Sequence, residues 1–403
     1  MCENQHFETS MWVINHLVNH GHEAYFVGGS VRDYLMKKSI SDVDITTSAL
    51  PEEVEHIFDR TLPIGKAHGT IIVVGKDEQF EVTTFRKDGD YVDHRRPTSV
   101  QFVTELYEDL ARRDFTMNAI AMDGAYQLHD YFKGYEDIQN QIIRAVGTPL
   151  DRMEEDALRI MRGVRFQSQT GFTIEDETQD AMKETAYLLD KIAIERIIVE
   201  LKKLVSGSYV DISMKTTTQL SLFQYIPFFN KLDQSTIFIP KDFNFEIWIA
   251  VLCFINEVDS TQLSTLKLSN QEKRNISEYI QLFKIFKFEP LTKEHLTVTI
   301  YTFGALKVKT IMAFIQQYEK NLHIQYQPII MNPILVNEIY DKLPIYHNSE
   351  LNLNGQILMS TFQKKGGPWI KDILNKLERA VILRKVNNTQ DDLIEWVRKN
   401  VEV

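Results

Sequence analysis

Cysteine is nearly missing from this sequence: Cys2 and Cys253 are the only two in 403 residues. That excludes a disulfide framework and a cysteine-based zinc site. No apolar run reaches the length of a membrane span, and the opening "MCENQHFETS" lacks a basic start followed by an apolar segment. A cytoplasmic protein is expected. Positive charge is also short: 45 Lys and Arg stand against 56 Asp and Glu, a formal net charge of -11. Such a balance disfavours bulk binding of polyanions, so a nucleic-acid partner has to be met by a local basic patch. Internal repeats and low-complexity tracts are missing too. What remains, 43% hydrophobic and 25% charged residues, is ordinary for a globular chain long enough for two to four domains.

The first part of the chain alternates strand and helix signals. "EAYFVGG" reads as a buried strand ending in a turn and "SVRDYLM" as the helix after it. "DVDITT", "GTIIVVG" and "QFEVTTFR" read as strands, and "VQFVT" follows a polar loop. A mixed sheet with flanking helices, ending near Val146, is the expectation. From Thr148 onward the pattern turns helical. "TPLDRMEEDALRIMRGVRFQSQ" carries apolar residues at helical spacing behind Pro149, and "TAYLLDKIAIERIIVELKKLVSG" is helical up to Gly207. The fold class expected is α+β, a mixed-sheet head followed by helices.

Five stretches carry chemistry. Gly28 and Gly29 in "GGSVRD" let the backbone approach a phosphate, and Arg32 adds a charged fork; an ordinary strand-to-helix turn has the same letters. No Gly-Lys-Ser/Thr follows, so this is not a Walker A loop. Asp42 and Asp44 lie two apart, which on a strand puts both carboxylates on one face, where a hard cation such as Mg²⁺ would neutralise them. An exposed acidic strand end is the plain alternative. Glu81 stands in an otherwise apolar strand, where a charge is costly unless it pairs, binds metal or faces solvent. In "LARRDFTMNAIAMD", Asp114 and Asn118 are one helical turn apart beside Arg113, positioned to face a ribose or simply to start a helix. In "EEDALRIMRGVRF", Asp156 and Arg159 fall on one helical face, with Arg162 and Arg165 continuing around it. Such pairs are usually surface ion pairs. An Asp that accepts from an exocyclic amine beside an Arg that donates to ring acceptors also imitates a Watson–Crick partner for cytosine or adenine.

In this order and spacing, "GGSVRD", "DVD", "RRDFTMNAIA" and "EEDALRIMRGVRF" resemble the signature motifs of class II tRNA nucleotidyltransferases. "IAIERIIVELKKLV" is similar to the next motif, and "GGPWIKDILNKLERAVI" to the C-terminal region. The resemblance implies a catalytic head (1–146), a base-recognising neck (147–206), a body (207–290) and a tRNA-binding tail (291–403). It implies that Asp42 and Asp44 hold catalytic Mg²⁺ with Glu81 as third carboxylate. Arg32, Arg113, Asp114 and Asn118 would surround triphosphate and ribose, and Asp156 and Arg159 would select CTP and ATP without a nucleic-acid template. The substrate would be the tRNA 3′ end, with the elbow held by body and tail. Within the family the same motifs serve CCA addition, A addition and poly(A) synthesis. CC-adding members lack a flexible loop in the region of "RKDGDYVDHRRPTSVQF", which this chain retains. His129-Asp130 is the one His-Asp pair and reads as structural. A remote reading is an RNA-binding protein without chemistry, against which the intact acidic trio argues.

Overall fold

The computed structural model describes residues 5–40, 42–76, 78–89, 100–289 and 291–401. These divide into two compact units, 1–245 with 262–268, and 246–261 with 269–403. The cut falls inside the stretch 207–290 that the sequence suggested as a body.

The first unit opens with α1 (Gln5–Asn19), β1 (Ala24–Val27) and α2 (Gly29–Leu35). Next come β2 (Asp44–Thr47), α3 (Pro51–Ile57), β3 (Thr61–Leu62), β4 (Thr70–Val74) and β5 (Gln79–Thr84). β6 (Arg86–Asp88), β7 (Val100–Phe102), α4 (Leu106–Ala111), β8 (Ala121–Met122) and β9 (Leu128–His129) follow. Seven of these strands form one mixed sheet in the order β3-β4-β5-β2-β1-β8-β9. Only β2 and β5 in it run parallel, and their register sets Asp44 opposite Glu81. The mixed-sheet expectation is met, and each strand read from β-branched runs is present. The alternation of β5 buries Phe80, Val82 and Thr84 while Glu81 faces out. Val27, Phe85, Leu106, Leu110, Ala119, Ala121 and Val146 close a buried cluster, and Val27 is paired with Asp44, so α4 is anchored beside the strands that carry the acids. Of the retained loop "RKDGDYVDHRRPTSVQF", residues 90–99 lie outside the described residues.

After α5 (Gly134–Gln139) and β10 (Ile142–Ile143) the chain becomes helical. α6 (Pro149–Glu155) has Pro149 in its first turn, as the sequence suggested. The expected continuous helix is broken, however. Asp156 takes extended dihedrals (φ -140°, ψ 98°), and α7 (Leu158–Thr170) starts afresh. β11 (Thr173–Ile174) and α8 (Asp176–Glu184) lead to α9 (Ile194–Val205). α9 buries Ile197, Ile198, Leu201, Leu204 and Val205, a stripe at helical period that packs against α7. Each such side chain contributes roughly 1.5–3 kcal/mol. That packing fixes α9 relative to the helix carrying the arginines. α10 (Val210–Gln219) and α11 (Phe245–Ile255) complete the run to the second unit.

The second unit is helical: α12 (Asn270–Phe288), α13 (Lys293–Phe303), α14 (Ala305–Leu322), α15 (Pro333–Asp341), α16 (Gly355–Phe362), α17 (Pro368–Ile382) and α18 (Gln390–Asn400). Ser269 and Glu272 form a reciprocal cap at the start of α12. Cys253 is buried in the apolar α11, and burial pushes its thiol up to about 12, so it is inert packing. Among the described residues no single helix is long and apolar enough to cross a membrane.

Candidate active site

One cavity of about 890 Å³ collects every candidate residue: Gly28, Gly29, Arg32, Asp42, Asp44, Glu81, Arg113, Asp114, Asn118, Asp156, Arg159, Arg162 and Arg165. Arginines outnumber carboxylates along its wall, so a chain of net charge -11 still presents a cationic pocket.

The carboxylate side is built from the sheet. Asp44 opens β2, whereas Asp42 stands in the segment before it, so the pair is set by the entry to the strand and not by alternation along it. Burial, and then the charge of Asp42, push the Asp44 carboxyl above its ordinary range, opposed by Arg113. Glu81 is raised as well, by burial and then by Asp44 and Asp42. Three acids repelling one another across a cavity wall are an oxygen-donor set suited to a hard divalent cation. Among the described residues no three His, Cys, Asp or Glu side chains close into a cage around an ion. Mg²⁺ needs no such cage, since it keeps water and takes substrate phosphate as ligands. The donor chemistry therefore fits.

The turn approaches these acids closely. Gly28 has φ +71°, and a Cβ there would stand 3.2 Å from Arg113 Nη1 and 3.5 Å from Asp44 Oδ2. Arg113 is in turn held from behind. Asp109 of α4, fully buried, accepts from Arg113 Nη2 (3.3 Å) and from Arg112 Nε and Nη2 (3.0 and 2.8 Å). The guanidinium charges outweigh burial and hold Asp109 below the usual carboxylate range.

A second chain of contacts crosses to the helices. Arg32 Nη1 donates to Asn118 Oδ1 (2.7 Å), Asn118 Nδ2 to Asp114 Oδ1 (3.1 Å), and Arg162 Nε to Asp114 Oδ2 (2.6 Å). Asp114 and Asn118 do meet, but not on an α-helix: residues 116–118 form a single 3-10 turn, and Asp114 caps nothing. This turn packs on the start of α5. A Cβ on Gly134 would lie 2.1 Å from the Thr116 carbonyl oxygen, so only glycine lets α5 come that close. Burial alone would raise Asp114, yet Arg162, Asn118 and the Phe115 amide bring it down to about 2. Phe166 lies beneath three guanidiniums, its ring centroid 5.1 Å from Arg32, 5.4 Å from Arg162 and 3.6 Å from Arg165. Burial and then Arg162 push Arg165 down to about 10.

Comparison with known proteins gives the family. Residues 24–144 match the family model "Poly A polymerase head domain". Residues 171–232 match "Probable RNA and SrmB-binding site of polymerase A", and 243–397 a tRNA nucleotidyltransferase domain 2. The CCA-adding enzyme of Staphylococcus epidermidis is 44% identical over 397 residues, covering 98% of this chain and 99% of its own. That of Staphylococcus haemolyticus is 45% identical over 397 residues, with the same coverage. The chain belongs to the CCA-adding enzymes. Among solved structures, the Bacillus stearothermophilus CCA-adding enzyme in complex with CTP superposes with a TM-score of 0.83 at 34% identity, over 98% of this chain and 97% of that one.

Several residues in or behind the cavity wall of this CCA-adding enzyme escaped the sequence reading. Asp109 stands three and four residues before Arg112 and Arg113, a helical spacing that was open to view but carried no motif. Asp109 stands behind the wall, whereas Arg86, Arg112, Phe166, Arg196 and Lys203 line the cavity itself. Asp156 and Arg159 both line it but are not a pair on one helical face, because the helix breaks at Asp156. Arg159 Nη1 binds Glu155 Oε2 (2.7 Å) and the Arg152 carbonyl (2.7 Å), while Asp156 Oδ2 binds Arg196 (2.7 Å). His129 meets Asp123 at 3.4 Å, and Asp130 accepts from the amides of Gly134 and Tyr135, so that dipeptide is structural as expected.

Proposed function

We propose that the chain extends tRNA 3′ ends with C, C and A, taking CTP and ATP and releasing pyrophosphate. The observation that carries the reading is the cavity lined together by the acids of β2 and β5, the arginines, and Asp156 and Arg159. Its relatives are CCA-adding enzymes over essentially their full length, one of them solved with CTP.

In this reading Asp42, Asp44 and Glu81 hold Mg²⁺. When bound, the cation supplies Lewis-acid stabilisation of charge on the reacting phosphate and on the departing pyrophosphate. Gly28 and Gly29 leave room for the triphosphate, and Arg32 and Arg113 bind it. Asp114 and Asn118, locked by Arg162 and Arg32, form the ribose side of the pocket. The tRNA 3′-hydroxyl attacks the α-phosphate in line, so the protein's task is to orient two substrates and to neutralise charge. Asp156 accepts from the exocyclic amine of cytosine or adenine and Arg159 donates beside it. The division into head (1–146), neck (147–206), body (207–290) and tail (291–403), with the tRNA elbow on body and tail, belongs to the same reading, as does a cytoplasmic site of action.

The test is release of pyrophosphate from CTP. It should require both a tRNA lacking its CCA end and Mg²⁺, cease with chelator and return when Mg²⁺ is restored. Release that persists without tRNA, or that ignores the chelator, would refute the reading.

A further inference from the structure

The two side chains assigned to base recognition are oriented separately. Arg159 is fixed by Glu155 and by the carbonyls of Arg152 and Arg112, the last at 3.1 Å from Nη2. Asp156 sits in the break between α6 and α7, so no helical register sets its carboxylate. Its Oδ1 accepts from the Leu158 amide at 3.1 Å, and its Oδ2 from Arg196 Nη2 at 2.7 Å. Arg196 comes from α9, whose apolar stripe is packed against α7, so this ion pair ties the break to a fixed helix. The guanidinium lies in the cavity wall, and its Nη1 is buried there without a hydrogen-bond partner. A buried donor left unpaired is costly. The position of this guanidinium is therefore set by Asp156 and the cavity, not by a full complement of protein partners.

We infer that Arg196 is a specificity-determining positioning residue, which holds the Asp156 carboxylate in the orientation that accepts the amine of cytosine or adenine. The inference rests on the base-recognition role given to Asp156 above. Without Arg196 the carboxylate is held by one backbone amide and is free to turn, and the penalty against uracil, which offers no amine, falls. The effect is on selection and KM, because the acids of β2 and β5 are untouched.

The experiment compares the parent with Arg196→Gln, Arg196→Lys and Asp156→Ala on a tRNA transcript ending before CCA. It measures kcat and KM for CTP and for UTP, with tRNA affinity and thermal midpoint as fold controls. Asp156→Ala should collapse the CTP/UTP ratio of kcat/KM. Arg196→Gln should lower that ratio by about tenfold, mainly by raising KM for CTP. Arg196→Lys, which keeps the charge but not the fork, should fall between the parent and Arg196→Gln. A full parental ratio in Arg196→Gln, with the ratio lost in Asp156→Ala, overturns the inference and leaves the role of Asp156 standing. A parental ratio in Asp156→Ala removes the base-recognition reading, and this inference with it. Should the Gln variant fail to fold, the Lys variant decides: a reduced ratio supports the inference and an unchanged one overturns it.

Discussion

Asp44→Asn should abolish nucleotide transfer and at the same time raise the thermal midpoint at neutral pH in chelator. The first half follows from the proposed charge balance. A carboxylate holding a divalent cation against a developing pyrophosphate contributes several kcal/mol to the transition state. A loss of about 4 kcal/mol is about a thousandfold in kcat. The second half follows from the folded protein alone. Asp44 is raised above the ordinary range by burial and by Asp42. A carboxyl raised in the folded state favours folding below its unfolded pKa, near 4, and that contribution is lost as pH rises through the folded value. At neutral pH the charged Asp44 therefore opposes folding, and a neutral amide relieves the cost. Glu81→Gln should shift stability the same way, since burial and the two aspartates raise it too. Thermal melts in chelator at pH 7 and pH 4 provide the check, with the gap between variant and parent closing at the lower pH. A variant less stable than the parent at pH 7 would show that the three acids do not repel one another there.

Asp114→Asn should have the opposite sign. This carboxylate is buried, accepts from Asn118, Arg162 and the Phe115 amide, and is held down to about 2. Replacing it leaves Glu200, at 3.9 Å, as the charge partner of Arg162 and gives Asn118 a neutral amide oxygen in place of a carboxylate. Breaking a buried ion pair costs about 3–5 kcal/mol, and because the Arg162 side chain is 35% exposed, solvent reduces the loss to about 2–3 kcal/mol. A group lowered in the folded state stabilises above its unfolded pKa, near 4, and loses that contribution as pH falls through about 2. Urea unfolding of parent and variant should thus differ by a constant amount from pH 7 to about 4, and by less at pH 3. A difference that does not shrink on acidification would mean the carboxylate is not charged through that range. KM for the nucleotide should rise in the same variant, because Arg32 is aligned through Asn118.

The contrast between Asp44 and Asp114 also marks what the sequence could reveal. Strands were legible because "GTIIVVG" and "QFEVTTFR" fit a half-buried sheet. The acid of β5 was legible because a charge inside an apolar strand is conspicuous. What was not legible was register: nothing local states that Asp44 lies opposite Glu81, since that depends on a parallel pairing across 37 positions of chain. The break at Asp156 was hidden for a related reason. "RMEEDALRIM" is mostly good helix formers around Asp156, and the Asp156 carboxylate is held by Arg196, forty residues away. Asp109 was hidden because the two arginines it binds follow directly after its own helix, where an acid before two arginines is indistinguishable from a surface ion pair until its burial is known.

The central claim, stepwise completion of tRNA ends by one cavity, is tested most directly by sizing products to one nucleotide. Purified protein with Mg²⁺ is given tRNA transcripts ending before CCA, after C, or after CC, with CTP, ATP or both. The account predicts two additions from CTP alone on the first transcript, one on the second, a single A on the third with ATP, and growth that stops at CCA when both are present. Addition of A to the CC-ended transcript alone, or A tracts that continue past the CCA end, would contradict it.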